Sequence, residues 1–287
     1  MTPRLILVPL SGTDTDRTAL LTAHGVAARF DSHLEVLFVT PDPKDSVLVL
    51  GDGLSTLMVE DIMTASETAW QARAAVAKAA FEAVVREFGL RRVEGPDGGG
   101  GVTIRWRQRV GRADDEIIPE GQLADLLVFD HQPGHHDPRE TQCLESALLY
   151  TGRPVLLAAK PQPTLGRNVA IAWNGRLEAS RAVNAALPFL AAAEQVRILT
   201  LRTGDSAGDH GERLVQALAW RGIAAGVSVI EPEGSPPFAA LTRRAAETGT
   251  DLLVMGAYGH SRVREMILGG ATRYVLNHDG PAVLLAH

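Results

Sequence analysis

The sequence predicts an α/β fold in two tandem copies, each an open, mostly parallel sheet of about five strands, the copies related by a pseudo-two-fold axis. Three observations carry that expectation. Short apolar runs of strand length alternate with amphipathic helical stretches, an order that builds parallel sheets. The second half of the chain restates the first, with a repeat far longer than that of any solenoid. Between the halves lies Lys160-Pro-Gln-Pro-Thr-Leu-Gly166, whose prolines make a short, stiff connector.

In chain order, Leu5–Leu10 reads as a strand, residues 11–14 as a polar turn, Asp16–Phe30 as a helix and residues 34–39 as a second strand. This β-α-β unit sets the parallel direction. Residues 41–53 form a loop, and an Ala-rich helical pattern fills residues 54–89 in one piece or two. The glycines of residues 94–101 mark a surface loop. A strand at 102–109, a short helix at 114–120 and strands at 123–129 and 154–158 complete this half.

The repeat then begins. Asn168-Val-Ala-Ile-Ala-Trp173-Asn174-Gly175 restates the first strand and turn, residues 177–192 the first helix, and residues 196–201 the second strand. Leu126-Leu-Val-Phe129 answers to Leu252-Leu-Val-Met255, and Gly152-Arg-Pro-Val-Leu-Leu-Ala158 to Gly280-Pro-Ala-Val-Leu-Leu-Ala286. The expected domains are residues 1–160 and 167–287.

The strand Leu252 to Met255 runs into Gly256-Ala-Tyr-Gly259, and Gly269-Gly270 follow before a second helix-like segment from Ala271 to Asn277. Glycines here let backbone N–H groups approach a ligand, and the helix starts favour negative charge. The spacing Gly-x2-Gly, nine residues, Gly, set between this strand and the closing Pro281-Ala-Val-Leu-Leu285, resembles the nucleotide-binding signature of the universal stress protein family. The resemblance covers nearly the whole chain as a tandem, with a Rossmann-like, adenine-nucleotide α-hydrolase-like fold in each half. It implies that the C-terminal domain alone holds ATP or a related adenine nucleotide, with magnesium accompanying it. The residues it points to are Asn174, Leu201, Met255, Gly256, Gly259, Arg262, Gly269, Gly270 and Ala271. Nucleotide-binding members carry Ser or Thr where this chain has Gly270, and Asp where it has Asn174. Trp173 either stacks on a base or fills the pocket. Leu201 is otherwise a core leucine and Arg262 a solvent-exposed arginine.

The N-terminal copy has lost the signature. Asp130 stands opposite Gly256, Pro133 opposite Gly259, and Thr141 and Gln142 opposite Gly269 and Gly270. A carboxylate repels phosphate, and proline has no N–H to donate. This copy is expected to bind no nucleotide. The histidines His131, His135 and His136, beside Asp130 and Asp137, are potential metal ligands, but they lack helical His-x3-His spacing and read as a polar loop.

With 287 residues, 45% hydrophobic and 22% charged, the chain has the composition of a globular protein large enough for two domains. A net charge of -6 and a pI near 5.9 argue against a nucleic-acid partner. The apolar runs are too short for a signal peptide or a membrane span. A single cysteine, Cys143, allows no internal disulfide and suits the cytoplasm; with no basic neighbour in sequence it reads as structural. Gly259-His-Ser261-Arg-Val263 lacks the last glycine of a nucleophile elbow, so Ser261 reads as a helix-start hydroxyl.

Three functions stay open: a cytoplasmic stress-response module that holds a nucleotide and reports on it, an interaction and dimerisation module of the same fold without nucleotide, and a slow nucleotide hydrolase. The last has the least support, since no paired carboxylates or nucleophile and base accompany the glycines. The expected assembly is an intrachain pseudo-dimer, with further dimerisation open.

Overall fold

The computed structural model describes residues 2–42, 55–130, 137–158, 160–161, 165–202, 209–231, 236–257, 274–275, 277–278 and 280–287. In the N-terminal half, β1 (Leu5–Leu10), α1 (Asp16–Phe30) and β2 (His33–Thr40) lead to the long α2 (Thr56–Phe88). Then come β3 (Arg91–Arg92), β4 (Thr103–Val110), α3 (Ala113–Leu123), β5 (Leu126–Asp130), α4 (Pro138–Tyr150) and β6 (Val155–Ala158). The C-terminal half contains β7 (Asn168–Ala172), α5 (Leu177–Ala191), β8 (Gln195–Leu201), α6 (Asp209–Ala219), β9 (Gly226–Ile230), α7 (Pro237–Glu247), β10 (Leu252–Gly256) and β11 (Ala282–Ala286).

Helix α2 is a single piece. The Ser55 hydroxyl caps it by accepting from the Met58 N–H at 3.3 Å, and Gly89 closes it in the left-handed region at φ 60°. Helix α4 begins on Asp137, whose carboxylate accepts from the Arg139 N–H at 2.9 Å, with Pro138 in the first turn. Leu123, expected in a strand, ends α3 instead; β5 starts only at Leu126.

The strands form one sheet in the order β3-β4-β2-β1-β5-β6-β11-β10-β7-β8-β9. Each half supplies an open parallel sheet, and the two halves have the same strand order once the two-residue β3 is set aside. They are not separate sheets, however. The last strands β6 and β11 pair antiparallel, with Val283 opposite Leu157, Leu284 opposite Leu156, and Leu285 opposite Val155. Since Val155-Leu156-Leu157 and Val283-Leu284-Leu285 are repeat equivalents, Leu156 and Leu284 pair with their own counterparts. The pseudo-two-fold axis therefore passes between them. The reason for the fusion lies in the edges: each final strand would otherwise present unpaired N–H and C=O groups, and antiparallel pairing of two copies of one strand satisfies both.

Alternate residues of the strands enter opposite layers, and both layers are apolar, which is why these strands read as continuous hydrophobic runs. Ile6, Val8, Leu156 and Leu284 pack with α1, α2, α5 and α6, while Leu7, Leu127, Val155 and Leu285 pack with α3, α4 and α7. The edge of Phe30 on α1 meets Phe189 on α5 at 5.2 Å, and Arg29 donates to the Leu165 carbonyl at 2.7 Å, so helices also join the halves. The repeat extends to hydrogen bonds. Asp125 accepts from the N–H groups of Arg4 and Leu5, and its equivalent Asp251 from those of Gly166, Arg167 and Asn168. Each pins the start of its half's first strand. Among the described residues, no helix is long and apolar enough to cross a membrane.

Candidate functional site

In each half the chain builds outward from the first strand to one side, then returns to the other. This reversal falls between β1 and β5 in the first half and between β7 and β10 in the second. In open α/β sheets such a switch point leaves a crevice beyond the carboxyl ends of the strands. Four of the residues singled out in the sequence meet at that end of the second half: Asn174 after β7, Leu201 at the end of β8, and Met255 and Gly256 at the end of β10. Gly259, Arg262, Gly269, Gly270 and Ala271 lie outside the described residues, as do His131, His135, His136 and Pro133.

The turn after β7 is built by its own side chain. Asn174 Oδ1 accepts from the Arg176 N–H at 3.0 Å, and Gly175 takes φ 72°, which brings the chain into α5. The residue before α5, Arg176, makes no side-chain capping bond to the helix, whose first backbone N–H groups follow the turn at the carboxyl end of β7. Gly256 abuts that N-terminus. A Cβ on it would stand 2.6 Å from the Ala179 nitrogen and 2.6 Å from the Glu178 carbonyl carbon. Close packing of strand on helix therefore requires glycine here, whatever binds beyond it. Met255 is buried, and its side chain packs in the core. Leu201 is half-buried in the same layer. Trp173 fills: it packs on the core, and its indole N–H donates to the His210 carbonyl at 3.0 Å.

The first half carries the same turn, with Gly12 at φ 76°, but the crevice behind it is plugged. The Arg73 backbone and Cβ on α2 press so closely that a Cβ on Gly12 would lie 2.6 Å from them. The Arg73 guanidinium donates to the Ser11 carbonyl at 2.9 Å and pairs with Glu140 at 3.4 Å and Asp137 at 3.6 Å. It also stacks over Trp70 at 4.8 Å, as does Arg139 at 5.2 Å. Asp16 completes the plug from below. Its carboxylate, fully buried, accepts from the N–H groups of Ser11 and Gly12, both at 2.9 Å. Burial pushes its pKa up to about 6; the two amide donors oppose that rise and nearby Asp130 adds to it. Glu140 is raised likewise by burial, then by Asp130 and Asp137. Anionic phosphate thus meets both steric closure and like charge in this half.

The sequence had shown the lost glycines but not Arg73, Trp70, Asp16 or Glu140. The Asp137-Pro138 pair is a readable helix start that would have placed Glu140 on a helix facing the crevice. Nothing local marks Arg73, which arrives from an Ala-rich helix 62 residues beyond Ser11. Thr141 and Gln142 are both engaged, the first with the Asp137 carbonyl and the second with Asp114. The Cys143 thiol is pushed up to about 12 by desolvation, and then by Asp114 and Glu140, as befits an unreactive cysteine. Among the described residues, no cluster of histidine, cysteine or carboxylate side chains could hold a metal.

Comparison with known proteins places this geometry. The profile of the universal stress protein family matches residues 167–278. A universal stress protein from Archaeoglobus fulgidus superposes on the whole chain with a TM-score of 0.65 at 16% identity, covering 100% of this chain and 96% of its own. A protein described as a putative universal stress protein, from Pseudomonas aeruginosa, follows with a TM-score of 0.60 at 16% identity, covering 99% and 93%. At such identity these likenesses speak for the fold. No curated protein matches the sequence. Residues 167–278 thus match the universal stress protein family, and the first half repeats the fold of the second.

Proposed function

We propose that the chain is a nucleotide-reporting module: residues 167–287 bind one adenine nucleotide, ATP with magnesium, while residues 1–160 serve as a non-binding pseudo-partner. The observation that carries this reading is the asymmetry at the two switch points. One lies beside a Gly-x2-Gly-x9-Gly sequence and an uncapped helix start. The other is blocked by Arg73 and lined by Asp16, Asp130 and Glu140. Backbone amides, rather than side chains, would hold the phosphates. The Asn174 amide would read the base edge with its N–H2 group, since its oxygen is held by the turn. Such a site binds without supplying a nucleophile or base, so a response to nucleotide level in the cytoplasm fits better than catalysis.

Thermal unfolding with excess ATP and magnesium tests the reading. Ligand should raise the melting temperature of the wild type, and raise it further in Gly270→Ser, whose hydroxyl adds a charged hydrogen bond of about 1.5 to 3 kcal/mol. Gly259→Val should show no shift. Equal shifts in all three proteins would place the phosphates elsewhere. No shift in any, with folding intact, would favour the interaction-module reading, toward which Gly270 itself points.

A further inference from the structure

The duplication supplies an internal control for the helical layer. Gly12 and Gly175, both left-handed, align α1 with α5, and Gly89 and Gly222, left-handed at φ 60° and 73°, align α2 with α6. In the first half the seam between α1 and α2 is shut by two ties. Arg17 pairs with Glu87 at 2.6 Å, and the His24 ring stacks on Phe88 at 3.9 Å. In the second half the aligned residues are Ser180 and Trp220 for the ion pair, and Leu187 and Arg221 for the stack. Neither tie can form. Arg221 turns back to donate to the Ala217 carbonyl at 2.8 Å.

The seam between α5 and α6 is accordingly open, a groove of about 370 Å3 that Trp173 also lines. Its floor is apolar, with Val183 and Leu187 from α5 and Leu214 and Leu218 from α6. Its rims are polar where the first half is apolar: Asn184 replaces Leu21, and Arg213 replaces Ala80. Arg213 is exposed and has no ion-pair or hydrogen-bond partner among the described residues. A cavity of this size, apolar at its floor and with a guanidinium at its lip that has no partner among the described residues, fits an elongated ligand with an acidic head.

We propose that the groove between α5 and α6 binds a small amphipathic anion, a carboxylate on an apolar chain, with the head at Arg213 and the chain along Val183, Leu187, Leu214 and Leu218. The site lies in the helical layer, so the proposal does not rest on nucleotide binding at the strand ends. Calorimetric titration of the full chain with sodium decanoate, and with decanol as its neutral counterpart, tests it. Decanoate should bind saturably, once per chain, and more tightly than decanol. Arg213→Gln should weaken decanoate about tenfold or more and leave decanol unchanged. The pair Leu187→His with Arg221→Phe, which restores the filler of the first half, should abolish both. Arg213→Gln changes an exposed position and keeps the test decisive should the double variant misfold. Absence of saturable decanoate binding, decanol binding as tightly as decanoate, or wild-type decanoate affinity in either folded variant would overturn the proposal.

Discussion

Leu156 and Leu284 face each other across the only antiparallel junction of the described sheet, and each occupies the place in its copy that the other occupies in its own. Both are fully buried. A contact that a dimer of single domains would make between chains is made here within one, at no concentration dependence. Truncating either leucine to alanine should cost about 2 to 5 kcal/mol in urea unfolding, as for other buried leucines. Because the two touch one seam, the double variant should depart from the sum of the singles. Losses near zero for both would mean that the junction does not hold the halves together.

Asp16 makes a pH signature. In the unfolded chain its carboxyl titrates near 3.8, and in the folded chain near 6. Above pH 6 the folded state carries a buried charge; between 6 and about 4 it takes up a proton that the unfolded state does not. This group therefore adds stability as pH falls from 7 toward 4, by about 3 kcal/mol in total. The difference in unfolding free energy between wild type and Asp16→Asn should move by that amount in favour of the wild type over this range. A difference that stays flat would show that Asp16 is not held in a desolvated site.

Gly256→Ala separates packing from ligand contact. Its added Cβ meets the backbone of Glu178 and Ala179, not a flexible side chain, so α5 must shift. Overpacking of this kind costs about 1 to 3 kcal/mol without any nucleotide present. A variant as stable as the wild type, yet deficient in binding, would assign the glycine to the ligand instead.

Much of this was legible in the residues. Strands buried on both faces, such as Leu252–Gly256 and Ala282–Ala286, show as short apolar runs, the first ending on a glycine, and Asp16–Phe30 fell where its periodicity placed it. Three things were not. The joining of the sheets depends on backbone edges, which leave no mark on side-chain pattern. No element was read between residues 202 and 250, where α6, β9 and α7 are short, and β9 lies at a sheet edge with little burial to impose a pattern. The plug in the first crevice depends on Arg73 meeting Ser11 and Glu140 from distant segments, a juxtaposition that only the fold creates. Gly256 was legible as a special position, but its packing against the start of α5 was not.

The claim that one copy binds and the other cannot is tested most directly by isothermal titration of the full chain with ATP and magnesium. The account predicts a single site per chain, lost in Gly259→Val and unaffected by Arg73→Ala, a change too small to unseat the α2 backbone from Gly12. Two sites per chain, or none, would contradict it.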